Sequence, residues 1–387
     1  MNISVLVGLK NNLEYSKEFY RIFRSIYPDI ELCFTSFGST DKTHEWLDSL
    51  EDKSLQYHYS DEKKTFSDTF NKCAEISTND YIIFLHNDLV IANNFLENTY
   101  KHLQDNTVVS YTTIEPPIFT GHQRPGKIIR EFGRDFWDLK EKDLLEFIKD
   151  EQNLNKDKVS EGITFFMALS KKVFLEIGGF DNLFTPMFCE DDDLIRRLTL
   201  KGLNQITSLD AICYHFVSKT SRFSEEFKDS TNSIEDYSSR NFVRKWQSPP
   251  HNKTAGVYDF ALILKDCSQE LIVILEPFYP TMYVDCDIEE YIKVAQPFTK
   301  FNLRKRLRRI EDYKEPHDIE IHTATKHLSP TNFQYFQYMP SIIGNAIKGG
   351  PGTYSLDEGI VVEINKFRNY RIDLITLNSI YYQNNLL

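Results

Sequence analysis

Short apolar runs alternate with amphipathic stretches through the first hundred residues, and that rhythm restricts the chain to few folds. Ile3–Val7 is an apolar run ending at Gly8, and a helical periodicity follows from Leu13 to Ile26. Ile30–Phe34 is a second strand-like run. Ser39-Thr40-Asp41 then reads as a turn and cap before a helix over Lys42–Leu50. Leu55–Tyr59 predicts a third strand, and Phe66, Phe70, Cys73 and Ala74 fall on one helix face. Tyr81–Leu85 reads as a buried strand, and Ala92, Phe95, Leu96, Tyr100 and Leu103 mark another amphipathic helix. Strands alternating with helices predict an α/β layer fold with a mostly parallel central sheet. Ligands in such sheets bind beyond the carboxyl ends of the strands. His86-Asn87-Asp88 closes one of those strands.

The rhythm breaks from Pro116 to Ser160, where Pro, Gly and His cluster before Trp137 and a charged helix over Lys140–Glu151. This segment reads either as an ordinary surface loop and helix or as an insertion carrying acceptor contacts through His122, Arg124, Phe136 or Trp137. Gly162–Leu169 predicts a strand and Lys171–Ile177 a short helix. An acidic run, Glu190 to Asp193, opens the next helix, and Ile206 and Ala211–Phe216 read as closing strands. Ser248-Pro249-Pro250-His251-Asn252 marks the boundary, giving a first domain over 1–247 and a smaller mixed α/β or β-rich domain over 255–387. In the second domain Val257–Leu264, Leu271–Leu275, Gly359–Ile364 and Tyr370–Ile375 read as strands. Arg304 to Arg309 carries five basic residues around Leu307 and reads as an amphipathic helix with a basic outer side.

Length agrees with that division, since 387 residues suit two domains of roughly 150 residues or more each. A formal net charge of -12 repels nucleic acid and anionic membrane, yet permits a nucleoside diphosphate bridged by a cation. Six cysteines form no Cys-x-x-Cys pair, which argues against a zinc site or a redox dithiol and suits a reducing cytoplasm. Met1 leads straight into the first strand without a signal-peptide pattern. No apolar run approaches the ~20 residues that span a bilayer. The expectation is a soluble cytoplasmic protein, with a peripheral place on a membrane left open.

Four consecutive acids are costly to hold together, because like charges at close range raise each other's pKa. Such a run suits proton transfer or metal binding, or it simply charges a helix N-terminus, which the macrodipole favours. Asp193 and Arg197 are spaced to pair along the helix.

Taken in order, the motifs of residues 1 to about 220 resemble a family 2 glycosyltransferase with the GT-A (Rossmann-like) fold. Ser4-Val5-Leu6-Val7-Gly8-Leu9-Lys10-Asn11 is similar to the family's first strand and its Asn, with Gly8 where Pro is usual. Gly38-Ser39-Thr40-Asp41 resembles the turn after the second strand, and Asn71 stands where the family carries an Asn in its third helix. His86-Asn87-Asp88 takes the place of the Asp-x-Asp motif. Gly178-Gly179-Phe180-Asp181, Glu190-Asp191, Asp193-Leu194, Arg197 and Gly202 match a later block, and His215 stands where a late His completes a metal site.

The resemblance implies an inverting transfer of a sugar from a nucleotide-sugar donor to an acceptor hydroxyl, assisted by Mn2+ or Mg2+. It implies a metal site at Asp88 and His215, and donor contacts from Gly8, Asn11, Ser36, Phe37, Asp41, Asn71, His86 and Asn87. Acceptor contacts fall to Trp137, Gly162 and Gly179. Asp191 becomes the general base, its pKa raised by acid neighbours, with Glu190 orienting the acceptor. Two departures stand out. Ser36 and Phe37 occupy the region where the family holds the nucleobase with an Asp, and His86 replaces the first acid of the metal motif. Two rival readings remain: a transferase acting on a modified nucleobase in DNA, and a non-catalytic sugar- or partner-binding module on a decayed transferase fold.

Overall fold

Parallel pairing of the opening strands follows from their composition, because strands buried on both faces read as continuous apolar runs. The computed structural model describes residues 1–121, 124–219, 221–346 and 350–386. The chain divides into two compact units: residues 1–182 with 190–233, and residues 183–189 with 234–387.

In the first unit β1 (Ile3–Leu9), α1 (Leu13–Ile26), β2 (Glu31–Phe37), α2 (Thr43–Asp48) and β3 (Leu55–Ser60) form a parallel layer. Then α3 (Phe66–Ile76) carries the chain to the far side of β1, where β4 (Tyr81–Leu85) pairs in parallel. A capping box fixes where α3 begins: Asp68 N donates to Thr65 Oγ1 at 3.0 Å and Thr65 N donates to Asp68 Oδ2 at 3.0 Å. Next come β5 (Leu89–Ile91), α4 (Phe95–Tyr100), β6 (Thr107–Glu115), β7 (Lys127–Ile129) and α5 (Glu141–Leu154). They are followed by β8 (Val159–Glu161), β9 (Met167–Ser170), α6 (Lys171–Glu176), α7 (Glu190–Leu200) and β10 (Asn204–His215). The sheet order is β3-β2-β1-β4-β9-β6-β10-β5, with β7 on β6 and β8 on β10. The order reverses at β1, so the carboxyl ends of β1 and β4 flank a crevice of the kind that holds ligands.

Two expectations change here. The strand expected over Gly162–Leu169 is confined to Met167–Ser170. The two closing strands are one strand, β10, with a bulge between Ser208 and Ile212. Asp210 holds that bulge: its carboxylate accepts from Ser208 Oγ at 2.8 Å and from Lys101 Nζ at 2.6 Å.

After α8 (Thr231–Trp246), the second unit continues with β11 (Phe260–Lys265), α9 (Gln269–Leu275), β12 (Thr281–Val284), α10 (Glu289–Ala295), α11 (Leu303–Arg306) and β13 (Leu307–Arg309). It ends with β14 (Ile319–Ala324), α12 (Phe333–Gln337), α13 (Met339–Ala346), β15 (Gly352–Asp357), β16 (Ile360–Ile364) and α14 (Ile380–Leu386). Its six-stranded sheet runs β13-β12-β11-β14-β16-β15, parallel through β14 and antiparallel beyond. Phe260, Leu262, Leu264, Ile272, Leu275, Met282, Ile319, Ile321 and Ile343 share its main core.

Leu271–Leu275 is helical rather than extended: Ile272 and Leu275 are buried while Val273 and Ile274 are 45% and 42% exposed, a period of three. Tyr370–Ile375 holds a 3-10 turn over Arg371–Leu374 instead of a strand. The basic helix stops after Arg306, because Leu307–Arg309 pairs with β12. Its charges are also spent internally: Arg306 Nε donates to the buried Glu276 at 2.8 Å and Arg304 pairs with Glu289 at 2.6 Å. No helix among the described residues is long and apolar enough to cross a membrane.

Candidate functional site

Three strand ends converge in the first unit. β4 ends at Leu85 and releases His86-Asn87-Asp88, β6 ends at Glu115, and β10 ends at His215. Parallel pairing of β6 with β10 sets Tyr214 beside Ile114, which brings His215 next to Glu115. Antiparallel pairing of His215 with Leu89 draws the same histidine to Asp88.

The ligating atoms of His86, Asp88 and His215 all lie within 4.8 Å of one another. His215 Nε2 faces Asp88 Oδ1 at 3.4 Å, and His86 Nδ1 stands 3.9 Å from the same oxygen. His86 Nε2 is buried and makes no hydrogen bond, while His215 Nε2 and Asp88 Oδ1 form a buried ion pair. A buried polar atom without a partner costs about 1–3 kcal/mol, and here it belongs to a histidine whose ring stands beside a buried carboxylate and a second imidazole. Two imidazoles and a carboxylate suit a divalent cation of intermediate hardness, and these residues fit one.

Electrostatics sharpen the picture. Burial pushes the His86 ring down to about 4, which keeps it neutral and its lone pair free near neutrality. Burial raises Asp88, but the charge and hydrogen bonding of His215 outweigh it and hold the carboxyl at about 2. Burial lowers His215, yet Asp88 and Glu115 on either side raise it to about 9. Rings pack the cluster in place: His86 stacks on Phe165 at 4.6 Å, and Phe166 meets His215 edge-on at 5.0 Å. Asp88 Oδ2 accepts from Lys219 N at 3.2 Å, and Asn87 Nδ2 donates to Ser16 Oγ at 3.0 Å.

His86 thus lies in the same cluster as Asp88 and His215. Sequence reasoning missed Glu115 altogether. It lies 3.3 Å from His215 Nδ1, accepts from Arg124 and from Thr113 Oγ1, and pairs with Lys127 Nζ at 3.4 Å. Burial raises its carboxyl, but His215 with Arg124 and Lys127 lowers it to about 2. The available signal was an acid closing a Thr- and Val-rich run just before Pro116.

Around the crevice, the expected donor residues are largely engaged with the fold. Asp41 caps two helices, accepting from Leu13 N at 2.8 Å and from Thr43 Oγ1 at 2.6 Å. Asn11 is left-handed at φ 52 and its Oδ1 accepts from Thr40 N at 2.7 Å. Ser36 Oγ is 2.8 Å from Ser39 Oγ and 3.1 Å from His44 Nε2. Phe37 is buried against His58, with Lys64 Nζ 5.1 Å from its ring centroid. Gly8 makes room for α3, since a Cβ there would come 2.9 Å from Thr69 Cγ2.

Asn71 clamps the Gly-Gly-Phe-Asp loop, accepting from Phe180 N at 2.8 Å and donating to Phe180 O at 2.8 Å. Gly179 sits at φ +69, and a Cβ there would lie 2.4 Å from Asn71 Oδ1. Arg197 ties the loop to α7, donating to Gly179 O at 2.6 Å, to Ile177 O at 3.0 Å and to Asp193 at 2.8 Å. The Phe180 ring is 6.1 Å from Phe165, the ring on which His86 stacks.

Glu190 and Asp191 open α7, and Asp191 Oδ1 accepts from Asp192 N at 2.9 Å. Burial, rather than acid neighbours, pushes the Asp191 carboxyl up from its ordinary value, against the pull of local backbone amides. No hydrogen bond or ion pair joins Asp191 to Asp88 among the described residues. Trp137 is 65% exposed, with Phe136 and Tyr15 behind it. Gly162 is at φ +96 beside Pro125. His122 lies outside the described residues.

Residues 4–178 match the sequence family described as Glycosyl transferase family 2. No curated protein matches the chain. Among solved structures, the chain is similar to the mannosyltransferase PcManGT from Pyrobaculum calidifontis in complex with GDP-Man and Mn2+, with 16% identity and a TM-score of 0.40 over 63% of this chain and 61% of that one. It is also similar to S. aureus TarS 1-349, with 13% identity and a TM-score of 0.40 over 56% of this chain and 60% of that one. The chain thus spans about three-fifths of the length of these structures.

Proposed function

The N-terminal part of the chain is a family 2 glycosyltransferase domain, and on that premise we propose that the protein moves a sugar from a nucleotide-sugar donor to an acceptor hydroxyl. The observation that supports the proposal is the convergence of His86, Asp88 and His215 at the strand ends, with ligating atoms within 4.8 Å of one another. A divalent ion held there, Mn2+ or Mg2+, would offset the charge that builds on the departing diphosphate.

Asp191 acts as general base in this reading. The acceptor O–H gives its proton to the Asp191 carboxylate as the oxygen bonds to the anomeric carbon. The bond from that carbon to the diphosphate oxygen breaks, the diphosphate leaves with the electron pair, and the configuration inverts. A carboxyl raised by burial suits the task, since a base works best with a pKa nearer the operating pH. Glu190 orients the acceptor from the same helix end. Exposed Trp137 offers a flat apolar face for an acceptor ring, with Gly162 and Gly179 as the further acceptor contacts of this reading. Residues 255–387 serve as an accessory module.

The test is a panel of nucleotide sugars incubated with the full chain, with and without manganese, following release of nucleoside diphosphate. Metal-dependent release from at least one donor, lost in Asp88→Asn, is the expected result. Donor binding without any turnover would favour a binding module instead. Absence of both binding and turnover across the panel would overturn the proposal.

A further inference from the structure

The second unit carries a cluster that the transferase reading does not use. Glu320 and His322 lie two residues apart on β14, so their side chains share one face of the sheet. Glu363 on β16 pairs directly with Glu320 across the antiparallel ladder. Ligating atoms of all three residues lie within 4.8 Å of one another. From these residues we propose a second divalent-metal site, of zinc type, at Glu320, His322 and Glu363.

Charge is the first argument. Like charges placed opposite each other on neighbouring strands destabilise a sheet, yet Glu320 and Glu363 hold such positions. Glu320 is only 1% exposed, so water screens it poorly. Among the described residues no lysine or arginine lies within ion-pair distance of either carboxylate. Their one basic neighbour is His322, 3.2 Å from Glu320 Oε2 and 3.8 Å from Glu363 Oε2. A dication at that point offsets both charges at once.

Geometry is the second argument. Zinc bonds of about 2.0–2.2 Å in a tetrahedron set neighbouring donors roughly 3.3–3.6 Å apart. The distances of 3.2 and 3.8 Å from His322 Nε2 to the two carboxylates bracket that spacing. One nitrogen and two oxygens leave a fourth position for water or for a ligand.

The surroundings hold the buried ligand in place. Tyr313 Oη donates to both oxygens of Glu320, at 2.9 and 3.0 Å, and His317 N donates to Oε1 at 2.9 Å. Tyr313 in turn packs edge-on against Tyr283 at 5.3 Å, and Tyr283 Oη is 3.1 Å from His317 Nε2. Ligating carboxylates are commonly fixed by outer hydrogen bonds of this kind. Bound metal would clip β16 to β14, where the sheet turns from parallel to antiparallel.

This site is independent of the one in the first unit, and the experiment separates them. Zinc is titrated into the full chain by calorimetry in an Asp88→Asn background, which weakens the first site. The expected result is about one equivalent bound through the second site, lost when His322→Ala is added and weakened by Glu363→Gln. Cobalt in place of zinc should give the visible absorption of a four-coordinate site, again lost with His322→Ala. Circular dichroism checks the fold of each variant, and Glu363→Gln, at a half-buried position, stands in if His322→Ala does not fold. Zinc affinity, stoichiometry and cobalt spectrum unchanged by these substitutions would overturn the proposal.

Discussion

Glu115 Oε1 lies 3.3 Å from His215 Nδ1, on the side of the ring opposite Asp88. A proton on Nδ1 shared with Glu115 leaves Nε2, 3.4 Å from Asp88 Oδ1, as the nitrogen that faces the cluster. Glu115 thus acts through His215, by fixing its tautomer and its tilt. Replacing it with glutamine should weaken manganese binding about 10–100-fold, read by calorimetry on a chain whose circular dichroism is unchanged. Undiminished affinity would reduce Glu115 to a partner for Arg124 and Lys127.

Asp191→Asn tests the base. Loss of general-base assistance should slow transfer about 10²–10⁴-fold, while the thermal shift given by a nucleotide sugar persists. Burial raises Asp191 above its ordinary 3.8, so the acid limb of the wild-type pH–rate profile should lie above that value. Full turnover in the variant would transfer the role to another group.

How far the sequence speaks for itself differs between the units. Continuous apolar runs such as Tyr81–Leu85 named their strands, because a parallel strand buried on both faces leaves no ambiguity of period. β6 escaped notice although every residue of it is buried, since Thr107-Val108-Val109-Ser110-Tyr111-Thr112-Thr113-Ile114-Glu115 interleaves hydroxyls that find partners inside the sheet. Glu115 was lost with it. The pairing of Asp88 with His215 across the sheet was not legible from spacing alone, because it depends on β10 lying between β6 and β5. In the second unit, short apolar runs such as Leu271–Leu275 are too brief to separate strand from helix, and packing decided them.

Gly179 offers a steric test of the loop before α7. Alanine there would meet Asn71 Oδ1 at 2.4 Å and would sit at φ +69, which costs a residue with a Cβ. Asn71 would have to release one or both of its bonds to Phe180. Gly179→Ala should cost at least ~1 kcal/mol by urea denaturation, and it should also lower activity by loosening the loop tied to α7. An unchanged unfolding midpoint would mean the loop moves aside freely.

Glu276 gives the second unit a pH signature. Its buried carboxylate accepts from Arg244 at 2.8 Å, from Arg306 at 2.8 Å and from Tyr291 Oη at 2.8 Å. Burial raises this carboxyl, but the two guanidinium groups outweigh burial and hold it at about 2, against an ordinary 4.5. A folded-state pKa below the unfolded one stabilises the native state above the unfolded pKa, and that contribution fades as pH falls toward the folded pKa. Glu276→Gln leaves two buried cations facing a neutral amide, a loss of about 3–5 kcal/mol near neutral pH. Thermal melts of wild type and variant should therefore be well separated at about pH 7 and should draw together between roughly pH 4.5 and 2, as the wild-type carboxylate takes up its proton. A gap that stays constant through that window would mean the cost of the variant comes from packing rather than from charge.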